Sequence, residues 1–324
     1  AQAAAVFREF IGQRRAGSEV DEERVRLVTG FNDVFVSIAI GLILVAVIQL
    51  GQMVAPILGA ALAAGVSWGL AEYFTAHRRM ALPSILLLLG FVAGIFMVAY
   101  FILDLKSTAA SNENIQFWGM LVCAGLAVVA AYAHWRRFRV PITVAVGAAA
   151  AFTAMIIFLL WIIPPLREFW LLLMFPCGLA MFTLAMFWDT SDRTRTTRRS
   201  DVAFWLHLVA APLIVHPVFS TLVTPNASIG AEIGRAIAAI SLYVVLALIA
   251  LAVDRRALLV SALAYVLYAI TTLVSSAGGV TEAFALTALV IGSALLLLSA
   301  FWHSTRRVVV RILPAKTQAR LPSV

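Results

Sequence analysis

Ten runs of apolar residues, separated by short polar or charged links, set the pattern of this chain. They fall at about 33–50, 53–73, 83–103, 117–134, 141–162, 169–188, 202–222, 234–253, 257–275 and 282–302. Each approaches the roughly 20 residues that a helix needs to cross a hydrocarbon core. Helices are required there, because open strands would leave backbone groups unpaired in lipid. Only Gly51 and Gln52 separate the first two runs, which predicts a tight hairpin near the interface. The expected fold class is all-α, a polytopic membrane bundle of about ten transmembrane helices built from repeated hairpins. Residues 1–30 are expected to form a cytoplasmic or membrane-surface segment, 31–303 the bundle, and 304–324 a basic cytoplasmic tail.

The leading segment AQAAAVFREFIGQRR has the spacing of a short surface helix, and Ser18 with Asp21 can cap a second one that Gly30 ends. These first thirty residues lack the pattern of a cleaved signal peptide, so the first apolar run is expected to remain as a helix.

Composition sharpens the assignment. Of 324 residues, 63% are hydrophobic and 12% charged, where soluble domains carry about a quarter charged. A net charge of +8 would suit nucleic acid, but the arginines sit in clusters between apolar runs. That is the footprint of membrane topology, and no nucleic-acid partner is expected. Of the 24 Lys and Arg residues only Lys106, Arg167 and Arg235 fall on one side of the expected bilayer, leaving 24 − 3 = 21 on the side of both termini. The bias predicts cytoplasmic N- and C-termini. The opposite loops carry Asp104, Glu113, Glu168, Glu232 and Glu282, and tryptophans such as Trp118, Trp161, Trp188, Trp205 and Trp302 mark helix ends at headgroup level.

Every basic link holds an Arg-Arg pair: Arg78-Arg79, Arg136-Arg137, Arg198-Arg199, Arg255-Arg256 and Arg306-Arg307. Two of the links share more, since His77, Arg78, Arg79 and Pro83 match His134, Arg136, Arg137 and Pro141. A proline at that point opens the next helix, where its missing N–H matters little. A repeated two-helix unit and plain topological regularity both account for the spacing.

Candidate chemistry concentrates in Ser200–Phe219, SDVAFWLHLVAAPLIVHPVF, where His207, His216, Pro212 and Pro217 interrupt an apolar segment. Ionisable groups inside a span are costly and so are functional candidates. With residue 202 as the inner edge, His207 lies roughly 8 Å and His216 roughly 21 Å deep. Nine residues at about 100° each place the two on opposite faces of a straight helix, a relation that a bend at Pro212 would change. Read functionally, the histidines mark a ligand site or proton path around a broken seventh helix; read structurally, each pins helix packing. Asp33 beside Asn32 suits a helix cap, and Glu72 suits an ion pair near His77 and the arginines, with a proton gate as its functional alternative. Asp104, Glu232, Arg235 and Glu282 would rim an outward mouth or simply be solvated. The link TSDRTRTTRRSD suits anionic lipid headgroups. Cys123 and Cys177 lie within apolar runs with no CxxC spacing, and they read as buried free thiols. No HExxH, GxSxG or paired intramembrane acids occur, so neither catalysis, a metal nor a cofactor is signalled.

The phrases DEERVRLVTGFNDVFVSIAI at 21–40 and FWLHLVAAPLIVHPVF at 204–219 resemble those of an uncharacterised family of multi-pass inner-membrane proteins of proteobacteria, a likeness that runs on through the aromatic-His-Arg-Arg-Pro links. The resemblance implies a bacterial inner-membrane location, a helical bundle and extra residues ahead of Ala1. It implies no activity. Ten helices with both ends inside are also similar, by helix count alone, to the drug/metabolite transporter superfamily. Two functional expectations stand: a small-solute or proton-coupled transporter or binding protein, and a non-catalytic accessory or assembly subunit that docks on a membrane partner or on a second copy of itself.

Overall fold

A computed structural model describes residues 31–105, 113–192, 197–222, 229–256 and 283–314, with isolated positions between 259 and 271 and Gln318. Among the described residues there are helices and no strands. In chain order they are α1 (Phe31–Val54), α2 (Pro56–Ala71), α3 (Ala81–Ile102), α4 (Glu113–Phe138), α5 (Ile142–Ile162), α6 (Trp170–Thr190), α7 (Arg198–Leu222), α8 (Ile229–Val253), α9 (Ala283–Ala300) and α10 (Trp302–Ile312). Glu72–His77 prolongs α2 as a π-helical turn, and Pro164–Phe169 leads into α6 as a 3₁₀ turn. Eight of these helices are long and apolar enough to cross a membrane, so the chain is an integral membrane protein with an all-α bundle. The expected span at 257–275 lies largely outside the described residues, as do Lys106, Glu282 and the whole of 1–30.

Consecutive helices pack as antiparallel hairpins, most extensively α6 on α7, α2 on α3, α4 on α5 and α1 on α2. Small side chains carry these contacts. Ala145, Met181, Ala185, Val202, Leu206 and Ala210 form one fully enclosed core between α5, α6 and α7. Where lipid supplies no hydrophobic drive between helices, such residues allow the close approach on which dispersion forces depend.

The first hairpin turns later than the sequence suggests. Gly51 and Gln52 remain helical and the break falls at Ala55, whose φ −160° and ψ 141° are extended. Pro56 explains this: its ring disfavours helical geometry in the preceding residue, and its own fixed φ suits the first position of α2. Gly51 serves the packing instead, since a Cβ there would stand 2.5 Å from the Gly59 Cα.

The second difference concerns α7. A break at Pro212 and Pro217 is expected from the sequence, yet α7 runs without interruption through both, as α6 does through Pro176. The prolines remove backbone bonds to the carbonyls of Leu208 and Leu213. Packing compensates, because half of the α7 span is buried, the largest share among the eight. The α6 backbone crosses α7 between the two prolines, so closely that a Cβ on Gly178 would sit 2.8 Å from the Ile214 nitrogen.

Candidate anion site at the basic end of the bundle

Alternating hairpins bring the arginine-bearing links to one end, and side-chain contacts tie those links together. Glu72, in the π turn after α2, accepts from Arg137 at the end of α4, with Nε–Oε1 3.0 Å and Nη2–Oε2 2.5 Å. Asp189 at the end of α6 accepts from Arg255, beyond α8, at 2.6 Å to Oδ1 and 3.2 Å to Oδ2. His207 Nε2 lies 3.3 Å from the same carboxylate. Trp302 donates its indole N–H to Asp254 at 2.7 Å, with the Arg306 guanidinium 3.8 Å away. The links thus form two charged groups, one joining the first and second links and one joining the third, the fourth and α10.

Between these groups the first three links line an open cavity of about 510 Å³. Arg79 from the first link, Arg137 and Arg139 from the second, and Arg198 from the third line it, with Asp201 as the single acid. Four arginines less one aspartate leave +3 around the space, or +2 once the Glu72–Arg137 pair is counted. Arg79, Arg139 and Arg198 are exposed and make no ion pair within 4.0 Å among the described residues. Arg139 stacks its guanidinium over the Trp135 ring at 5.5 Å, which orients it without neutralising it.

Backbone dipoles add to this field. Ala81, Ile142 and Arg198 are the first residues of α3, α5 and α7, and all three line the cavity, so three helix N-termini converge on it. Each such end carries about half a positive charge and unsatisfied N–H groups. The starts of α3 and α5 have Met80 and Pro141 at the capping position, no side-chain cap and no acid in the first turn. By contrast α7 is capped, with Thr197 Oγ1 accepting from the Arg199 N–H at 3.2 Å and Asp192 bracing Thr197. Thr75, more than nine-tenths buried, also lines the cavity, and its hydroxyl has no hydrogen-bond partner.

Arg79 and Arg139 are further marked by their backbones, with φ of 54° and 56°. The left-handed position just past a helix is usually glycine, and a non-glycine residue there stores on the order of 1 kcal/mol. Both links place an arginine where glycine would be relaxed, and both arginines face the same cavity. The sequence match of the two links aligns Arg79 with Arg137; the backbone aligns it with Arg139. Nor are the matched histidines equivalent, for His77 is exposed and donates from Nδ1 to the Glu72 carbonyl at 2.6 Å, whereas His134 is buried among Trp68, Phe91 and Phe138.

The residues singled out from the sequence are dispersed. His207 is fully buried against Asp189, while His216, on the opposite face of α7, is exposed; the two do not share a path through the described residues. Pro212 and Pro217 lie within the continuous helix. Glu72 belongs to the first of the two charged groups through Arg137. Asp33 is buried inside the first turns of α1, where its carbonyl accepts from Ser37 Oγ at 2.6 Å, beside a second polar recess with Tyr73 and Arg78. At the other end Arg167 pairs with Glu113 at 2.7 Å and lies over Phe117, so those two charges satisfy each other. Cys123 and Cys177 are buried free thiols, and among the described residues no group of His, Cys, Asp or Glu is arranged to hold a metal ion.

Sequence reasoning missed Asp189, Arg255 and the cavity. Its usable signal was the few acids embedded in strongly basic links: Asp189, Asp192 and Asp254 are all buried, which a solvated link residue would not be. Comparison with known proteins gives no further guide, since no family model, no curated protein and no solved structure matches the chain.

Proposed function

We propose that this integral membrane protein binds a small anionic solute in the arginine-lined cavity, as the docking step of a carrier. The single observation behind this reading is the convergence of four arginines, one of them paired with Glu72, and the two uncapped N-termini of α3 and α5 on one space of about 510 Å³. Arginine forks match phosphate and carboxylate oxygens bidentately, and free N–H groups at helix starts favour the same charge. Unpaired arginines held in strained backbone positions find their use in a ligand that completes their pairing. Inorganic phosphate and pyrophosphate titrated into the purified chain test the reading. Binding that weakens at least tenfold in Arg139→Gln, with melting unchanged, is the expected result; no binding by a folded chain would contradict it.

The concentration of basic residues at this end supports its placement in the cytoplasm of a bacterial inner membrane. A Thr190→Cys variant should then react with an impermeant maleimide only from the cytoplasmic side, and Glu168→Cys only from the outer side. Reversed labelling would overturn that orientation.

A further inference from the structure

Resting on that reading, we infer that the ligand is amphiphilic: a phosphate ester with an apolar tail, its charge held at the arginine rim and its tail against the deeper wall of the cavity. The lining changes character with depth. Arg198 opens α7 at the mouth, and Trp205 lies seven residues further in, about 10 Å along the helix axis. On α3 the wall passes from Ala81 to Ile85, about 6 Å in, beside Ser84, whose hydroxyl is spent on the Met80 carbonyl; Met80 and Ile142, at the starts of α3 and α5, add apolar surface nearer the mouth. Arginines therefore ring the opening, and Ile85 and Trp205 form the deeper wall, the order of a headgroup followed by its chain.

An inorganic ion would use only the rim. The deeper wall offers it no cation, only neutral groups, and apolar recesses are poorly hydrated, so filling one with hydrocarbon is favourable. Asp201 strengthens the case, because it sits one turn inside Arg198 on the same helix. A carboxylate at that level opposes a second negative charge placed deeper. The ligand's charge is thus confined to the rim, and what reaches past Asp201 must be uncharged. The buried Thr75 hydroxyl supplies a neutral donor in the same lining.

The test compares four probes on the full chain in maltoside detergent: inorganic phosphate, glycerol 3-phosphate, dihexanoyl phosphatidic acid below its micellar concentration, and dihexanoyl phosphatidylcholine as a tail without net charge. A buried methylene contributes about 0.8 kcal/mol, or roughly fourfold in affinity. A few methylenes against the deeper wall should make the phosphatidic acid at least tenfold tighter than glycerol 3-phosphate. Arg139→Gln should weaken both at least tenfold, Ile85→Asn should shrink the ratio between them, Arg311→Gln in the exposed tail should change neither, and the phosphatidylcholine should not compete.

Equal affinity for glycerol 3-phosphate and the phosphatidic acid would overturn the inference and leave the anion reading standing. Failure of every phosphate to bind a chain of normal melting temperature would overturn both. Tight phosphatidic acid binding indifferent to Arg139→Gln would place the ligand elsewhere and overturn the inference. Lipid phosphorus counted in protein taken from native membranes separates the sources: one phosphate lipid per chain assigns the site to a bilayer lipid, and none, with the tenfold preference intact, assigns it to a soluble amphiphile. Both agree with an amphiphilic phosphate.

Discussion

Two arginine assemblies lie at the same end of the bundle and are built in opposite ways. Around Asp189, the Arg255 guanidinium is 3% exposed and fully engaged by a carboxylate that is 1% exposed, with His207 completing the group. Around the cavity, Arg79, Arg139 and Arg198 are exposed, make no ion pair among the described residues, and two of them occupy backbone positions that suit glycine. The first arrangement joins α6, α7 and the link after α8, and its charges are spent on one another. The second keeps charge available in a shaped space. Residue type alone does not separate the two assemblies; pairing does, whereas a left-handed backbone occurs in both, at Asp254 (φ 60°) as at Arg79 and Arg139.

The largest effect is expected from unpairing the buried group. Removing Asp189 by Ala strands the Arg255 charge and should destabilise the protein by about 3–5 kcal/mol, read as a large fall in melting temperature. The double variant Asp189→Leu with Arg255→Met should recover most of that loss, because apolar groups of similar volume replace a buried pair at little net cost. If the double variant is as unstable as the single one, the group does more than hold the links together.

Next in size is the crossing that keeps α7 straight. Gly178→Val drives a side chain into the Leu213–Ile214 backbone and should cost about 1–3 kcal/mol in a melting experiment. A neutral outcome would show that α6 and α7 can separate at the prolines, and the continuity of α7 would need another cause.

Legibility from sequence divides along the same line. The spans were readable because each is a run of nearly uniform hydropathy, and a helix is the only solution for such a run in lipid. The shared end of the Arg-Arg links followed from alternation. Partners were not readable: Glu72 suits an ion pair from its place among arginines, but Arg137, 65 residues away, is the one it meets, and Asp189 is 66 residues from Arg255, so nothing local connects them. The histidines drew attention because burial of an ionisable group is costly, yet depth along α7 does not reveal which face is covered. His207 is covered and His216 is not. The prolines suggested a break because they remove local hydrogen bonds, but neighbouring helices decide whether those losses bend the chain.

Smaller effects sharpen the cavity side. Arg79→Gly and Arg139→Gly each remove a left-handed non-glycine residue and should stabilise the protein by about 1 kcal/mol, an unusual gain for the loss of a charged side chain. Anion affinity at the cavity should fall as ionic strength rises, whereas the Asp189 group, shielded from solvent, should show little salt dependence in its stability. The least effect on binding is expected at His216, whose exposure on the far face of α7 predicts an unaltered phosphate affinity for His216→Ala. A marked loss of binding there would return the site to the middle of α7.

The most direct measurement pairs calorimetric phosphate titration with thermal melting on the Arg79→Gly, Arg139→Gly double variant. A melting temperature equal to or above that of the wild type is expected, together with at least tenfold weaker binding, since strain and charge leave together. Lower stability with undiminished binding would contradict this expectation, and would make both arginines part of the scaffold.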